Sequence, residues 1–252
     1  GKNSVVTDNK ISDVTLVQNL ECDYKKDEEG GSTPDTIDHF VGRKGGTYTI
    51  DRNTGEATIV TAVASGVYAS NTENGDVKEY SVYAAEGLEW IAANVDDNDG
   101  FAGKTVKLTH DIDCFKGYMP DGDPVSTAPI GQRDYITKKT GEHKAFKGVF
   151  DGDGHSIKNL YQNGWALGYW EGQYGAIGLF SRVEDATIKN LTIDGCEMLV
   201  EGGNVAAIAG NAAGDCTFEN ITIKNTSLGS YNNGVAGIVA WSETGNYTFK
   251  NI

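Results

Sequence analysis

The stretch Ile188-Lys189-Asn190-Leu191-Thr192-Ile193 decides the fold of this 252-residue chain, because its opening recurs at a fixed spacing. The asparagines of the recurring segments are 31, 30 and 31 residues apart (190 − 159, 220 − 190 and 251 − 220). A constant spacing of this size is typical of a repeat architecture. The three segments that match Ile188–Leu191 are Ile157-Lys158-Asn159-Leu160, Phe218-Glu219-Asn220-Ile221 and Phe249-Lys250-Asn251-Ile252.

A second series of residues follows the same spacing. Phe150, Phe180, Gly210 and Ala240 close four apolar segments, each 30 residues after the last. Between these segments lie Gly, Asn, Asp, Ser and Thr, which favour turns, whereas the apolar positions are rich in the β-branched and aromatic residues that suit strands. The repeats lack helical spacing of apolar residues. One such unit cannot bury its apolar side alone, so the pattern predicts an all-β stack of short strands, a β-solenoid.

The repeated asparagine predicts a bend within each unit. Apolar residues fall at positions i, i+3 and i+5 of Ile188–Ile193, so the chain turns between Ile188 and Leu191. Asn tolerates the left-handed backbone conformation of such a bend better than most residues. We therefore predict that Asn159, Asn190, Asn220 and Asn251 form one hydrogen-bonded column, with coils about 4.8 Å apart. The alternative is that Asn is simply a frequent turn residue.

Four segments of the chain have a recognisable pattern: Lys104–Asp113 (KTVKLTHDID), Pro129–Gly131 (PIG), Phe146–Leu160 (FKGVFDGDGHSIKNL) and Gly175–Phe180 (GAIGLF). These segments resemble those of bacterial GLUG-type repeat proteins. The resemblance covers about residues 80–252 and implies a right-handed parallel β-helix of the pectin-lyase-like kind, on secreted or cell-surface, adhesin-like bacterial proteins without one shared activity. Later repeats depart from the pattern, since residues 204–210 and 234–240 lack its Leu-Phe pair.

The chain divides by pattern into two parts. Residues 80–252 carry the predicted β-helix, and Ala84–Val95 has apolar residues at helical spacing, which predicts an amphipathic helix that caps it. Residues 1–79 do not match the repeat and predict a small β-rich, sandwich-like domain. It would contain one hairpin from Thr47–Ile50 to Ala57–Val60 and another at Asn74-Gly75. The chain ends within the fourth repeated segment, so we expect a truncated β-helix or a cover over that end.

Charge and cysteine content exclude several classes of function. The net charge of −15 argues against nucleic acid and anionic lipid as partners. No segment approaches the roughly 18 apolar residues of a membrane span, so we expect no membrane insertion. Cys22, Cys114, Cys196 and Cys216 lack metal-ligand spacing and are expected to be free thiols, buried as small apolar groups. The sequence suggests no cofactor.

Three groups of residues are candidates for catalysis or for calcium binding. Asp151 and Asp153 offer the two carboxylates that a glycoside hydrolase needs, with His155 close by, but they lie in a Gly-Asp-Gly turn of the repeat, and the sequence lacks the paired motifs of polygalacturonases. Residues 96–100 (DDNDG) fail the EF-hand pattern in both possible frames, and residues 121–123 (DGD) are an equally weak match. We therefore predict neither a catalytic nor a metal site, and a solvated turn after the helix.

The turn that follows the first repeated segment is the predicted recognition site. It is longer than its two equivalents, because Gly175 follows Leu160 by 15 positions, whereas Asn204 follows Leu191 and Gly234 follows Ile221 by 13 (175 − 160, 204 − 191 and 234 − 221). Clustered aromatic rings suit stacking on sugars or anchoring a protein, although they could instead cover the flank of the stack. Its aromatic residues, the predicted ligand-binding set, are Tyr161, Trp165, Tyr169, Trp170 and Tyr174.

The sequence therefore favours a non-enzymatic secreted or cell-surface bacterial protein for adhesion or carbohydrate recognition. The expected partner is a glycan or a host or bacterial surface protein. Two alternatives remain open because fold does not decide function. One is a polysaccharide-degrading lyase or glycoside hydrolase on the same fold, and the other is a structural spacer in a longer surface protein.

Overall fold

The structure, a computed structural model, describes residues 4–7, 15–18, 48–51, 58–131, 145–164 and 175–252. The chain forms two compact units, Gly1–Ala64 and Ser65–Ile252. The domain boundary predicted from the sequence lay between residues 79 and 80; the two units divide between Ala64 and Ser65.

The first unit contains four described strands, which pair in parallel. Strand β1 pairs with β3, with Ser4 opposite Tyr48, and β2 pairs with β4, with Thr15 opposite Thr58. The two runs predicted to form the first hairpin are strands β3 and β4, but each pairs with a different partner in parallel, not with the other as an antiparallel hairpin. The bounds are β1 (Ser4–Thr7), β2 (Thr15–Gln18), β3 (Tyr48–Asp51) and β4 (Thr58–Ala64).

The second unit is built from strands, with one described α-helix. It begins with β5 (Val67–Glu73), β6 (Asp76–Val82) and α1 (Ala85–Ala93), followed by a 3₁₀ turn at Asp99–Phe101. The remaining strands are β7 (Thr105–Leu108), β8 (Ile112–Asp113), β9 (Val149–Asp151), β10 (Ser156–Lys158), β11 (Tyr161–Asn163), β12 (Gly175–Ile177), β13 (Phe180–Glu184), β14 (Thr187–Asp194), β15 (Glu197–Val200), β16 (Gly203–Ala206), β17 (Ala209–Ala213), β18 (Cys216–Lys224), β19 (Ser227–Ser230), β20 (Val235–Ala236), β21 (Val239–Ser242) and β22 (Tyr247–Lys250).

The hairpin predicted at Asn74-Gly75 and the predicted helix are both present. Strands β5 and β6 pair antiparallel around that turn, where Asn74 and Gly75 have positive φ values of 53° and 82°. Helix α1 buries Leu88 and Ile91. It approaches the hairpin closely at Gly66, where a Cβ would lie 2.3 Å from the backbone nitrogen of Gly87. Only glycine fits at this contact between hairpin and helix.

From β6 onward the strands of the second unit pair in parallel. Four sheets each receive one new strand from every successive repeat of the sequence. Strand β14 pairs with β18, which pairs with β22. The other three series are β11-β15-β19, β12-β16-β20 and β13-β17-β21. The second unit is therefore all-β apart from α1 and the 3₁₀ turn among the described residues, and the prediction of parallel strands is confirmed.

The predicted asparagine column exists for three of its four members. The Asn220 amide donates to Asn190 Oδ1 at 2.8 Å, and the Asn251 amide donates to Asn220 Oδ1 at 2.9 Å. Below them, the Asn190 amide donates to Asp151 Oδ1 at 3.0 Å, so an aspartate takes the place predicted for Asn159. All four asparagines have the predicted left-handed conformation, with φ between 50° and 54°.

Asn159 lies in a neighbouring column, so its predicted position is wrong. Four residues, 152–155, separate Asp151 from Ser156, where β14 has only Asn190 and Leu191 between the matching positions Lys189 and Thr192. The two extra residues shift Ile157 opposite Ile193, which brings Asn159 beside Gly195 at the next turn. There the Asn159 amide donates to Asp113 Oδ1 at 2.9 Å.

The residues spaced 30 apart, beginning with Phe150, are likewise divided between two sheets. Phe150 pairs with Val106 and Ile188, in the sheet that contains the asparagine bend. Phe180 instead pairs with Ala209, in the β13-β17-β21 sheet. The equal spacing of Phe150 and Phe180 along the sequence therefore does not place them in one column.

The core lies between these sheets and holds the predicted apolar residues. The apolar members of the repeated segments predict a core of twelve side chains; eleven of them are buried, and Ile223 is half-buried, because β22 covers β18 only from Cys216 to Glu219. Cys114, Cys196 and Cys216 are free and buried, as predicted, whereas Cys22 lies outside the described residues. Burial raises the pKa of the Cys114 thiol to about 12. The eleven buried residues are Ile157, Leu160, Ile177, Leu179, Ile188, Leu191, Ile193, Ile208, Phe218, Ile221 and Ile238.

Candidate functional site

The predicted recognition turn lies mostly outside the described residues. Trp165, Tyr169, Trp170 and Tyr174 all fall within residues 165–174, so their predicted role stays a prediction. Tyr161 is described: it begins β11, is half-buried, and its hydroxyl accepts a hydrogen bond from the Asn163 amide at 3.4 Å. Of the five predicted ligand-binding residues, Tyr161 is thus the one that lies within the described ranges.

A second loop leaves the stack at the same corner. The backbone nitrogen of Cys114 donates to the Lys158 carbonyl, and that of Thr127 donates to the Tyr161 carbonyl, both at 2.8 Å. Residues 115–126 therefore form a loop between Cys114, which is hydrogen-bonded to Lys158, and Thr127, which is hydrogen-bonded to Tyr161. We name this segment the corner loop. The corner loop and the start of the aromatic turn share one corner of the second unit.

The corner loop exposes apolar side chains that the sequence analysis did not single out. Phe115, Tyr118 and Met119 are 49%, 69% and 47% exposed. The rings of Phe115 and Tyr118 meet edge to face with their centroids 5.2 Å apart. Their position around Gly117 and before Pro120, outside the repeated strands, was the signal in the sequence that could have found them.

Backbone hydrogen bonds give the corner loop a defined shape. Tyr118 forms an antiparallel bridge with Pro124, and the Met119 nitrogen donates to the Asp123 carbonyl at 2.7 Å. The turn between them has Gly122 at a φ of 95°, which explains the sequence DGD at 121–123 as a turn. Tyr118 therefore lies on a small hairpin with its own hydrogen bonds, and Phe115 packs against it from the residues just before that hairpin.

A cavity of about 620 Å³ opens beside the corner loop. Its walls come from the start of α1 on one side and from β8 and the first residues of the corner loop on the other. It combines two aromatic rings, four carboxylates and one lysine. The lining residues are Tyr83, Ala84, Ala85, Glu86, Glu89, Asp111, Ile112, Asp113, Phe115 and Lys116.

The carboxylates of this cavity differ in their partners. Lys116 forms a salt bridge with Glu89, and Lys158 forms one with Asp111 at 2.7 Å. The hydrogen bond from Lys158, supported by the Ser156 nitrogen, lowers the pKa of Asp111 to about 2. Asp113 accepts from the Asn159 amide at 2.9 Å, and this bond holds its pKa below the usual value.

Asp151 and Asp153, the two aspartates among the candidate catalytic residues, each form a salt bridge with a lysine of the fold. Asp151 lies 3.1 Å from the Lys189 ammonium, and Asp153 lies 3.0 Å from that of Lys107. Burial alone would raise the pKa of Asp151, but hydrogen bonds, the Asn190 amide first among them, outweigh it and lower that pKa. A catalytic acid of a glycosidase needs a raised pKa, so this arrangement favours a structural role.

The segment weighed for calcium forms the turn after α1. The Gly100 nitrogen donates to the Val95 carbonyl at 2.7 Å, and Gly100 has a φ of 67°. A Cβ at Gly100 would lie 2.4 Å from the Ala145 carbonyl oxygen, so the turn packs tightly on the next coil. Within the described ranges, no three His, Cys, Asp or Glu side chains are grouped so that they could hold a metal ion.

Three other exposed apolar side chains lie on the last three strands. Val235, Trp241 and Phe249 are 47%, 57% and 50% exposed. They lie on β20, β21 and β22, each of which pairs on one side only among the described strands. Their exposure is that of a sheet edge, whereas Phe115 and Tyr118 lie in a loop outside the repeated strands.

Comparison with known proteins gives one relative. The chain is 30% identical over 198 residues to Halomucin of Haloquadratum walsbyi. This match covers 75% of the chain and 2% of Halomucin, so the chain spans a small part of that relative's length. No protein family and no solved structure matches the sequence. Among the described residues, no helix is long and apolar enough to cross a membrane.

Proposed function

We propose that this chain is a non-enzymatic extracellular or cell-surface protein that binds carbohydrate at the corner of a right-handed parallel β-helix. Side-chain columns and parallel strands that return every 30 or 31 residues along β14, β18 and β22 support the β-helix. The resemblance to GLUG-type repeat proteins supports the same fold, and their adhesin-like character supports a surface role. Similarity to part of a protein named Halomucin is compatible with that location.

The exposed aromatic pair of the corner loop carries the proposal. Phe115 and Tyr118 bring two rings together outside the core, and backbone hydrogen bonds hold the hairpin that carries Tyr118. Large exposed rings cost solubility, and clusters of them mark binding surfaces. Pyranose rings present apolar faces that stack on such aromatic side chains, while nearby carboxylates and amides accept and donate hydrogen bonds to hydroxyl groups. The aromatic turn that begins at Tyr161 would extend the same surface.

The repeated face favours a scaffold over a catalytic cleft. Lys107, Asp151, Lys189, Glu219 and Lys250 lie opposite one another on successive strands, with alternating sign. Opposite charges on neighbouring strands stabilise the pairing. The carboxylates of this column are therefore partners of lysines in the stack, which supports a display role for the coils.

A glycan array with the intact chain tests the proposal. We expect binding to a defined set of glycans, and we expect Tyr118→Ala to lose it, because Tyr118 is the more exposed ring of the pair. Tyr231→Ala is the matched control, since Tyr231 is 77% exposed but lies in a turn of a later coil. Circular dichroism of both variants checks that the fold is kept. A chain that binds no glycan, or equal loss in both variants, would refute the proposal and favour a structural spacer.

A further inference from the structure

The carboxylates that line the cavity beside the corner loop outnumber the lysines that form salt bridges with them. Of these four carboxylates, Glu89 pairs with Lys116 and Asp111 pairs with Lys158. Among the described residues, no lysine or arginine forms a salt bridge with either of the other two, Glu86 and Asp113. These two carboxylates face the cavity from opposite walls, one from α1 and one from β8.

An aromatic ring stands at the edge of the same cavity. Phe115 lines the cavity and is also half of the exposed pair with Tyr118. A ligand that lies on Phe115 therefore has one side against an aromatic ring and the other toward the carboxylates. Tyr83, just before α1, also lines the cavity.

We propose that this cavity is a subsite for a protonated amino sugar, so that the glycan bound at the corner is a polymer of hexosamine with free amino groups. This inference rests on the proposed carbohydrate function and names its ligand class. The apolar face of the pyranose ring lies on Phe115, and the ammonium group on the ring is directed to Glu86 and Asp113. Hydrogen bonds between charged groups are the strong ones in recognition, and an ammonium near an aromatic face gains further attraction.

N-acetylation of the sugar removes this interaction. An acetylated amine carries no charge, so it leaves both carboxylates without a cation while the ring can still stack on Phe115. The subsite thus distinguishes free amines from acetylated amines on otherwise identical sugars. Because the pair is partly exposed to solvent, salt screens it and weakens the preference.

The test compares glucosamine hexamer with N-acetylglucosamine hexamer by isothermal titration calorimetry on the intact chain at mildly acidic pH. We expect the glucosamine hexamer to bind about fivefold to tenfold more tightly, the ratio for one or two partly exposed ion pairs. Glu86→Gln is expected to remove most of that preference. Glu73→Gln, the same substitution at an exposed position of the β5–β6 hairpin, is the matched control and is expected to keep it.

The outcomes separate this inference from the proposed function. If both hexamers bind equally and Phe115→Ala abolishes binding, the glycan site stands and the amino-sugar subsite is refuted. If neither hexamer binds, the subsite is refuted, and the glycan array decides the proposed function independently. If a lysine hexapeptide binds more tightly than the glucosamine hexamer and displaces it, the cavity recognises peptide ammonium groups, and the sugar assignment is overturned.

Discussion

Replacing Asn220 with alanine tests how the bend and the asparagine column stabilise the second unit. Asn220 has a φ of 54°, which costs an ordinary L-residue about 1–2 kcal/mol. Its amide donates to Asn190 and its Oδ1 accepts from Asn251, at 2.8 and 2.9 Å. Each bond contributes about 0.5–1.5 kcal/mol, and the low end applies because Asn220 is exposed and water can replace the lost partner.

The two contributions give an expected loss of about 2–3 kcal/mol for Asn220→Ala. Asn220→Gly is the matched control, because glycine accepts the positive φ and loses only the two side-chain bonds. The free energy of unfolding is measured by urea denaturation followed by circular dichroism, with the denaturant slope checked for constancy since repeat proteins can depart from two-state unfolding. A loss below about 0.5 kcal/mol for alanine, or an equal loss for both variants, would contradict this reasoning.

Three further outcomes are expected. Leu191→Ala, at a buried position between coils, should lower the free energy of unfolding by about 2–5 kcal/mol in the same denaturation assay, and a loss under 1 kcal/mol would mean that the side chain does not pack in the core. Because Lys158 lowers the folded-state pKa of Asp111 to about 2, below the value of about 3.9 in an unfolded chain, the stability from Asp111 is present above pH 4 and is lost as the pH falls towards 2. Asp111→Asn should therefore lose less stability than the wild type over that range in acid titrations, and an identical pH dependence would contradict the pairing. Trp165→Ala combined with Trp170→Ala should leave the thermal midpoint nearly unchanged and abolish binding on a glycan array, whereas a loss of several kcal/mol without any wild-type binding would assign both rings to packing.

Local patterns of the sequence predicted the elements that depend on local chemistry. The asparagine bends, the turn at Asn74-Gly75 and the helix that begins at Ala85 all follow from backbone preference and from the spacing of apolar residues. Each of these features needs only a few neighbouring residues to specify it. They could therefore be predicted without knowing which coils meet.

Register between coils was harder to predict, because it depends on which apolar residues pack together. Asn159 carries the repeated motif, yet the two extra residues before Ile157 place it beside Asp113 and Gly195. Pairing Phe150 with Ile188 and Ile157 with Ile193 buries both apolar positions, and the motif is displaced as a consequence. Sequence identity of a short segment therefore did not decide its position in the stack.

The corner loop was missed for a related reason. Sequence comparison among repeats drew attention to the turn that starts at Tyr161, but the corner loop precedes the first complete repeat and has no equivalent for comparison. The exposure of Phe115 and Tyr118, and their position at the corner of Tyr161, depend on backbone bonds between residues far apart in sequence. Only the folded arrangement brings the corner loop next to Tyr161.

Amide hydrogen exchange of the intact chain, with and without a glycan found on the array, is the most direct test of binding at this corner. We predict that the glycan slows exchange in peptides covering residues 114–126 and in the segment that begins at Tyr161, and leaves the last coil, residues 227–252, unchanged. Protection confined to the last coil, or spread evenly over the stack, would contradict the placement of the site at the corner loop.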